Sequence, residues 1–386
     1  MSAQGYRVYL ETNPFNKSFI SFTNQCIRKT KLTNQWVKSI LEKDSFFCID
    51  EDKWPAVRTP VLNQPWRIIR INNMDTSTKT AFASTAVLGA GLMGVGIALH
   101  LARHGCQVRL YDPQLERLAE IPTVAGVILN ELIAADQFDE ADRNETLSRL
   151  IPVNTLTELA DVDLLIEAVP ERLPLKQSLY RELEGIVRDD CVFASNTSGF
   201  PPDSLAEGLK HPERLFIAHF WNPPHFIPLV ELVPGTATDP HLIEKVRVML
   251  EAMDLEAVLL EKAAPGFIGN RLQFALLREA LHIVQSGIAD ADTVDRVMRA
   301  SLGRRYGMVG PLEAADMAGL DTFIDISTHL MPQLAQGTEV IELLKEKVAA
   351  GNTGLRSGQG FYRWDEARHE RLLSRRGHQL RFALKP

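Results

Sequence analysis

At 386 residues the chain has room for two compact domains and a sizeable buried core. A hydrophobic share of 45% and a charged share of 24% are ordinary for a globular enzyme, and a net charge of −7 argues against nucleic acid, whose phosphates need a basic face. Four scattered cysteines (Cys26, Cys48, Cys106, Cys191) form no metal-ligand spacing, so no metal is expected and the thiols read as reduced in a cytoplasmic protein.

Composition changes near residue 80. Residues 1–80 hold 12 Lys+Arg against 7 Asp+Glu, whereas the remaining 306 residues hold 30 against 42. No sustained period runs through the early segment, which is read as an atypical extension over 1–80. The working protein is expected to begin at or near Met74, the rival being a basic appendage that docks on the enzyme or binds a partner. The stretch Thr80 to Ala102 carries no charged side chain, but its glycines and central turn argue against a membrane helix, and no membrane partner is expected.

The chain then enters a short apolar strand, Thr85-Ala-Val-Leu, which runs into Gly89-Ala-Gly91-Leu92-Met93-Gly94. Val95 to His104 reads as a helix closed by Gly105, and the next strand, Cys106 to Tyr111, ends on Asp112. Strand, glycine loop, helix, second strand and acid together form the complete dinucleotide-binding fingerprint. Gly89 permits the tight turn, Gly91 admits the pyrophosphate, Gly94 lets helix and strand pack closely, and Leu92 and Met93 complete the loop. The helix N-terminus offers unpaired N–H groups to the diphosphate. Asp112 should accept the ribose hydroxyls and repel a 2′-phosphate, so the expected cofactor is NAD.

Further strands are expected at Val162 to Val169, Cys191 to Ser195, Leu215 to His219 and Leu229 to Val233, in a parallel sheet buried on both faces. Leu175 to Val187 reads as a connecting helix. After Pro265 the pattern changes to long helices, clearest over Ile268 to Ser286 and Ala291 to Ser301. The fold class is α/β: a Rossmann-type doubly wound sheet over 81–264, followed by an all-helical C-terminal domain over 265–386, the candidate substrate domain.

Four polar residues fall at strand ends or at the domain junction. They are Ser198 in Ser-Asn-Thr-Ser, His219 in Ala-His-Phe-Trp-Asn-Pro-Pro, Glu231 in Pro-Leu-Val-Glu-Leu and Asn270 in Pro-Gly-Phe-Ile-Gly-Asn-Arg. Oxidising a secondary alcohol needs a base for the hydroxyl proton while hydride leaves carbon. An imidazole oriented by a carboxylate on its far nitrogen suits that task. Ser198 and Asn270 would hold the hydroxyl and the neighbouring carbonyl.

These motifs, with Gly310-Pro-Leu-Glu-Ala-Ala-Asp and Ser357-Gly-Gln-Gly-Phe-Tyr, resemble the L-3-hydroxyacyl-CoA dehydrogenase family over roughly residues 85–365. The resemblance implies NAD-dependent oxidation to the 3-keto product, with His219, Glu231, Ser198 and Asn270 as the active site, a place in fatty acid metabolism, and a homodimer made by the helical domain. It also implies that Glu171, Lys176 and Asn222 border the nicotinamide ribose, and that Arg356 stands where the family usually shows Lys.

The substrate divides the reading. Residues 113–160 contain no Lys, three Arg (Arg117, Arg143, Arg149) and nine acids, a poor match for an anionic CoA tail. Asn222-Pro-Pro-His-Phe-Ile-Pro and Gly303-Arg-Arg-Tyr-Gly also resemble the lambda-crystallin and L-gulonate 3-dehydrogenase branch, which acts on small free 3-hydroxy acids. For such a gulonate- or carnitine-like substrate, Arg304 or Arg305 is the candidate carboxylate clamp. His225 is a candidate for the pocket lining. A third reading, a catalytically silent NAD-binding structural protein, sits poorly with four intact polar residues.

Overall fold

The computed structural model describes residue 82 and residues 84–382; the expectations for the extension and its start at Met74 lie outside the described residues. Eight strands form one sheet in the order β3-β2-β1-β4-β5-β6-β7-β8. They are β1 (Ser84–Leu88), β2 (Gln107–Tyr111), β3 (Leu150–Val153), β4 (Leu164–Glu167), β5 (Val192–Ser195), β6 (Leu215–Phe220), β7 (Leu229–Pro234) and β8 (Glu256–Leu259). The helices around the sheet are α1 (Leu92–Arg103), α2 (Leu115–Ala134), α3 (Arg143–Ser148), α4 (Leu173–Glu184), α5 (Pro202–Leu205) and α6 (Pro240–Glu251).

The strands read as continuous apolar runs because both faces are covered, and their side chains sort by parity. Val87, Leu164, Ile166, Val192, Ala194, Phe216 and Ala218 join one core cluster with α1, α2 and α6. Their neighbours Ala86, Leu88, Leu165, Phe193, Leu215 and Ile217 join a second cluster with Tyr180 and Leu183 of α4. Strand order reverses between β1 and β4, the place where an open α/β sheet binds its ligand. The glycine loop sits there: a Cβ on Gly89 would lie 2.7 Å from the Ala168 carbonyl oxygen.

The sheet departs from the expected all-parallel arrangement at one pairing. β7 runs antiparallel to β6, and β8 pairs parallel to β7. Periodicity identifies a strand but carries no direction, and the short connection across Asn222 to Pro228 turns the chain straight back. β3 and β8 were not expected; each is four residues long and interrupted by Pro152 or opened by Glu256.

From residue 269 the chain is helical: α7 (Gly269–Gln285), α8 (Ala291–Ala300), α9 (Leu302–Arg305), α10 (Pro311–Ala318), α11 (Leu320–Leu330), α12 (Ile341–Ala349) and α13 (Glu366–Phe382). No described helix is long and apolar enough to cross a membrane. α13 turns back to α2, and Leu380, 1% exposed, joins the core of the sheet region.

Candidate active site

The glycine loop has the shape its composition requires. Gly89 has φ +98°, a left-handed conformation that glycine adopts without strain. A Cβ on Gly94 would lie 1.7 Å from the Gly89 carbonyl oxygen, so the start of α1 packs on the loop only with glycine there. A Cβ on Gly91 would meet nothing closer than the Arg117 guanidinium at 3.7 Å, leaving its backbone open to an incoming pyrophosphate. Leu92 is exposed at the first position of α1 and Met93 packs against the core. Asp112, 6% exposed, accepts the Ala90 amide at 2.9 Å and the Gln114 amide at 3.0 Å, which fixes its carboxylate beside the loop. A tight turn, an open amide edge and a fixed acid form a cradle that fits a dinucleotide.

The antiparallel β7 makes the second half of the site. In its register His219 lies directly opposite Glu231, which is the physical content of their twelve-residue spacing. His219 Nδ1 and Glu231 Oε2 are 3.0 Å apart, with side chains 6% and 2% exposed. Trp221 Nε1 donates to the same oxygen at 3.2 Å, while the Ile268 and Gly269 amides at the start of α7 donate to Oε1, each at 2.9 Å. Burial alone would raise the Glu231 carboxyl, but the hydrogen bonds from His219, Gly269, Ile268 and Trp221 hold it below the usual carboxylate range. A carboxylate with three other donors is an acceptor, so His219 donates from Nδ1 and keeps a lone pair on Nε2. The rings of Phe267 and Trp221 flank His219, with centroids 5.4 Å and 5.9 Å away.

A second network leads from the sheet core to Ser198. Glu167, fully buried at the end of β4, accepts from Lys176 Nζ at 2.6 Å, Ser195 Oγ at 2.6 Å and Tyr180 OH at 3.1 Å. Burial, reinforced by Glu167, holds the Tyr180 phenol far above its usual range, so it stays a donor. Lys176 also pairs with Glu171 Oε2 at 3.1 Å, and Glu171 in turn accepts from Thr197 Oγ1 and, at 3.2 Å, from the Ser198 amide. Asn196 Oδ1 accepts the Phe220 amide at 2.8 Å, tying the loop that carries Ser198 to the end of β6.

His219 and Glu231 are thus joined directly, and Asn270 follows Gly269, whose amide holds Glu231. Ser198 and Glu171 share one loop junction. Lys176 is 1% exposed with its amine spent on two carboxylates, so of that pair Glu171, with its side chain 45% exposed, faces outward. Asn222 is exposed in the loop after β6. Arg304, Arg305 and Arg356 are exposed, and no hydrogen bond or ion pair among the described residues connects them to the His219 cluster. The sequence reading missed Trp221, Asn196, Glu167 and the two amides of α7. Trp221 stood two residues from His219, but neither the turn of the chain nor a backbone donor leaves a mark in residue type.

Fold and site together define an NAD-dependent oxidoreductase acting on CH–OH groups. The chain belongs to the 3-hydroxyacyl-CoA dehydrogenase family: the family's NAD-binding domain matches residues 84–263 and its C-terminal domain matches residues 266–364. It is 33% identical over 306 residues to a 5-formyl-3-hydroxy-2-methylpyridine 4-carboxylate 5-dehydrogenase of Mesorhizobium japonicum, covering 76% of this chain and 95% of that one. It is 35% identical over 286 residues to a probable 3-hydroxybutyryl-CoA dehydrogenase of Bacillus subtilis, covering 72% and 96%. Among solved structures, a 5-formyl-3-hydroxy-2-methylpyridine 4-carboxylic acid 5-dehydrogenase matches with a TM-score of 0.71 at 31% identity, covering 77% of this chain and 96% of that one.

Proposed function

We propose that the chain oxidises the 3-hydroxyl of a small free carboxylic acid to the 3-keto product, with His219 as general base. The observation that carries the reading is the buried His219–Glu231 pair, whose carboxylate is saturated by four donors. His219 Nε2 takes the hydroxyl proton, and the ionised Glu231 stabilises the imidazolium that results, a contribution of about 10²–10⁴-fold in rate. NAD, held by the Gly89–Gly94 loop and Asp112, supplies the hydride acceptor. Ser198 and Asn270 hold the hydroxyl and its neighbouring carbonyl. Glu171 and Asn222 border the nicotinamide ribose, with Lys176 acting through Glu171.

The arginines of residues 113–160 favour the free acid over a CoA thioester. Arg143 is taken by Glu140 and Asn130, and Arg149 by Glu145 and the Ala102 carbonyl. For the free acid, Arg304 or Arg305 is the carboxylate clamp. A CoA thioester is the second reading, favoured by the similarity to a 3-hydroxybutyryl-CoA dehydrogenase. Arg117, which makes no ion pair among the described residues, would then meet a phosphate. The helical region serves as the interface with a second copy of this chain, because Leu272, Phe274, Leu312, Met317 and Ile324 are all more than half exposed on it. Absorbance of NADH, followed with free 3-hydroxybutyrate, L-gulonate, carnitine and 3-hydroxybutyryl-CoA, tests the substrate. Turnover of a free acid is expected; turnover of the CoA ester alone overturns the free-acid reading.

A further inference from the structure

Helix α13 lies beyond residue 364, where the family match ends, yet it reaches back to the sheet region. One turn before the buried Leu380, Arg376 comes within 2.8 Å of Glu131 Oε2 on α2 and 2.6 Å of His225 Nε2. Its guanidinium also lies 5.9 Å from the centroid of the Phe226 ring. His225 Nε2 is 3.0 Å from the same Glu131 oxygen, and the His225 side chain is only 5% exposed. Three elements distant in sequence therefore meet at one cluster of a half-buried arginine and glutamate around a buried histidine.

The loop they grip is the one that builds the active site. Residues 221–228 join β6, which carries His219, to β7, which carries Glu231, and include Asn222 and Trp221, whose indole donates to Glu231. The opposite side of the loop rests on the dinucleotide helix α1: a Cβ on Gly96 would come within 2.5 Å of Pro224 Cγ. The loop is held between α1 on one side and α13 on the other. Glu131 Oε2 accepts from Arg376 and stands 3.0 Å from His225 Nε2, so the carboxylate joins the helix to the loop. Nδ1 is buried and has no hydrogen-bond partner among the described residues, where the ring is held by its Nε2 edge.

We propose that Arg376 is a positioning residue, a latch from the C-terminal helix that fixes the His225 loop so that Asn222 stands at the ribose edge and Trp221 at Glu231 when substrate binds. It acts through Glu131 and His225 and touches no reacting atom. The proposal rests on the His219–Glu231 reading for its kinetic test. Arg376→Met should raise the substrate KM about tenfold while leaving kcat within about twofold, because His219 and Glu231 stand on β6 and β7 and the Ile268 and Gly269 amides still hold the carboxylate. Arg376→Lys should recover most of the loss through its charge on Glu131. Glu131→Gln should shift KM in the same direction, and Arg376→Met with Glu131→Gln should be no worse than the more affected single variant. A second measurement needs no substrate: amide hydrogen exchange in 221–228 should accelerate in Arg376→Met and stay unchanged in Arg375→Met, an exposed neighbour. If the wild type turns over no 3-hydroxy substrate, the functional reading fails alone and the exchange result decides the latch. Unchanged exchange and unchanged KM in a folded Arg376→Met overturn it, as does a lowered melting temperature with both kinetic constants normal.

Discussion

All six residues of β6 are buried, whereas neither α8 nor α11 has a single buried residue. The sheet region closes its own core on both faces; the helical region leaves Met308, Leu312, Met317, Ile324 and Ile326 more than half exposed. The strands are apolar on both faces, whereas the later helices carry apolar and polar residues together. What separates them is whether the chain supplies the second layer itself. The sheet has helices on both sides, whereas the described helical region leaves large apolar side chains uncovered. The candidate site straddles this difference: His219 and Glu231 stand on β6 and β7, while Asn270 and the Gly269 amide that holds Glu231 come from the first turn of α7.

Three perturbations sharpen the comparison. Leu165, fully buried in β4, should lose about 2–5 kcal/mol of stability on change to Ala, read by denaturant unfolding. Leu312→Glu combined with Met317→Glu should cost the fold less, since surface changes usually stay within about 0.5 kcal/mol, yet convert a dimer to a monomer by light scattering. An unchanged mass would remove the helical face as the interface. The third perturbation is of pH and concerns His100 in α1, whose pKa is lowered by burial to about 3 despite its hydrogen bond to the Met253 carbonyl at 2.9 Å. A histidine held neutral in the fold contributes stability that is present above its unfolded pKa and is lost as pH falls toward the folded value. The wild type should therefore lose up to about 1.4 kcal/mol per pH unit from His100 between pH 6.5 and about 3, and His100→Asn should flatten that limb.

The legible parts of the molecule were the locally determined ones. The glycine loop, its helix and Asp112 declare themselves because each position needs a particular residue for a steric or electrostatic reason. Six of the eight strands declare themselves as apolar runs, although observed ends differ from expected ones by a residue or two; β3 and β8 do not. The direction of β7 was not legible, and with it went the reason Glu231 faces His219. The donors from Ile268 and Gly269 are backbone groups that any residue could supply. Lys176 carried a family role at the ribose edge, yet its amine is taken up by Glu167, a partner that only the folded sheet reveals. The return of α13 onto α2 brings Arg376 to Glu131, about 245 residues earlier in the chain, a distance no local pattern spans.

The central claim is that His219, held by Glu231, takes the substrate proton. Steady-state NADH formation by His219→Ala, beside NADH affinity measured by fluorescence, tests it most directly. The account predicts a fall in kcat of about 10²–10⁴-fold with NADH affinity unchanged, since the dinucleotide cradle lies elsewhere. Turnover within a few-fold of the wild type would contradict it.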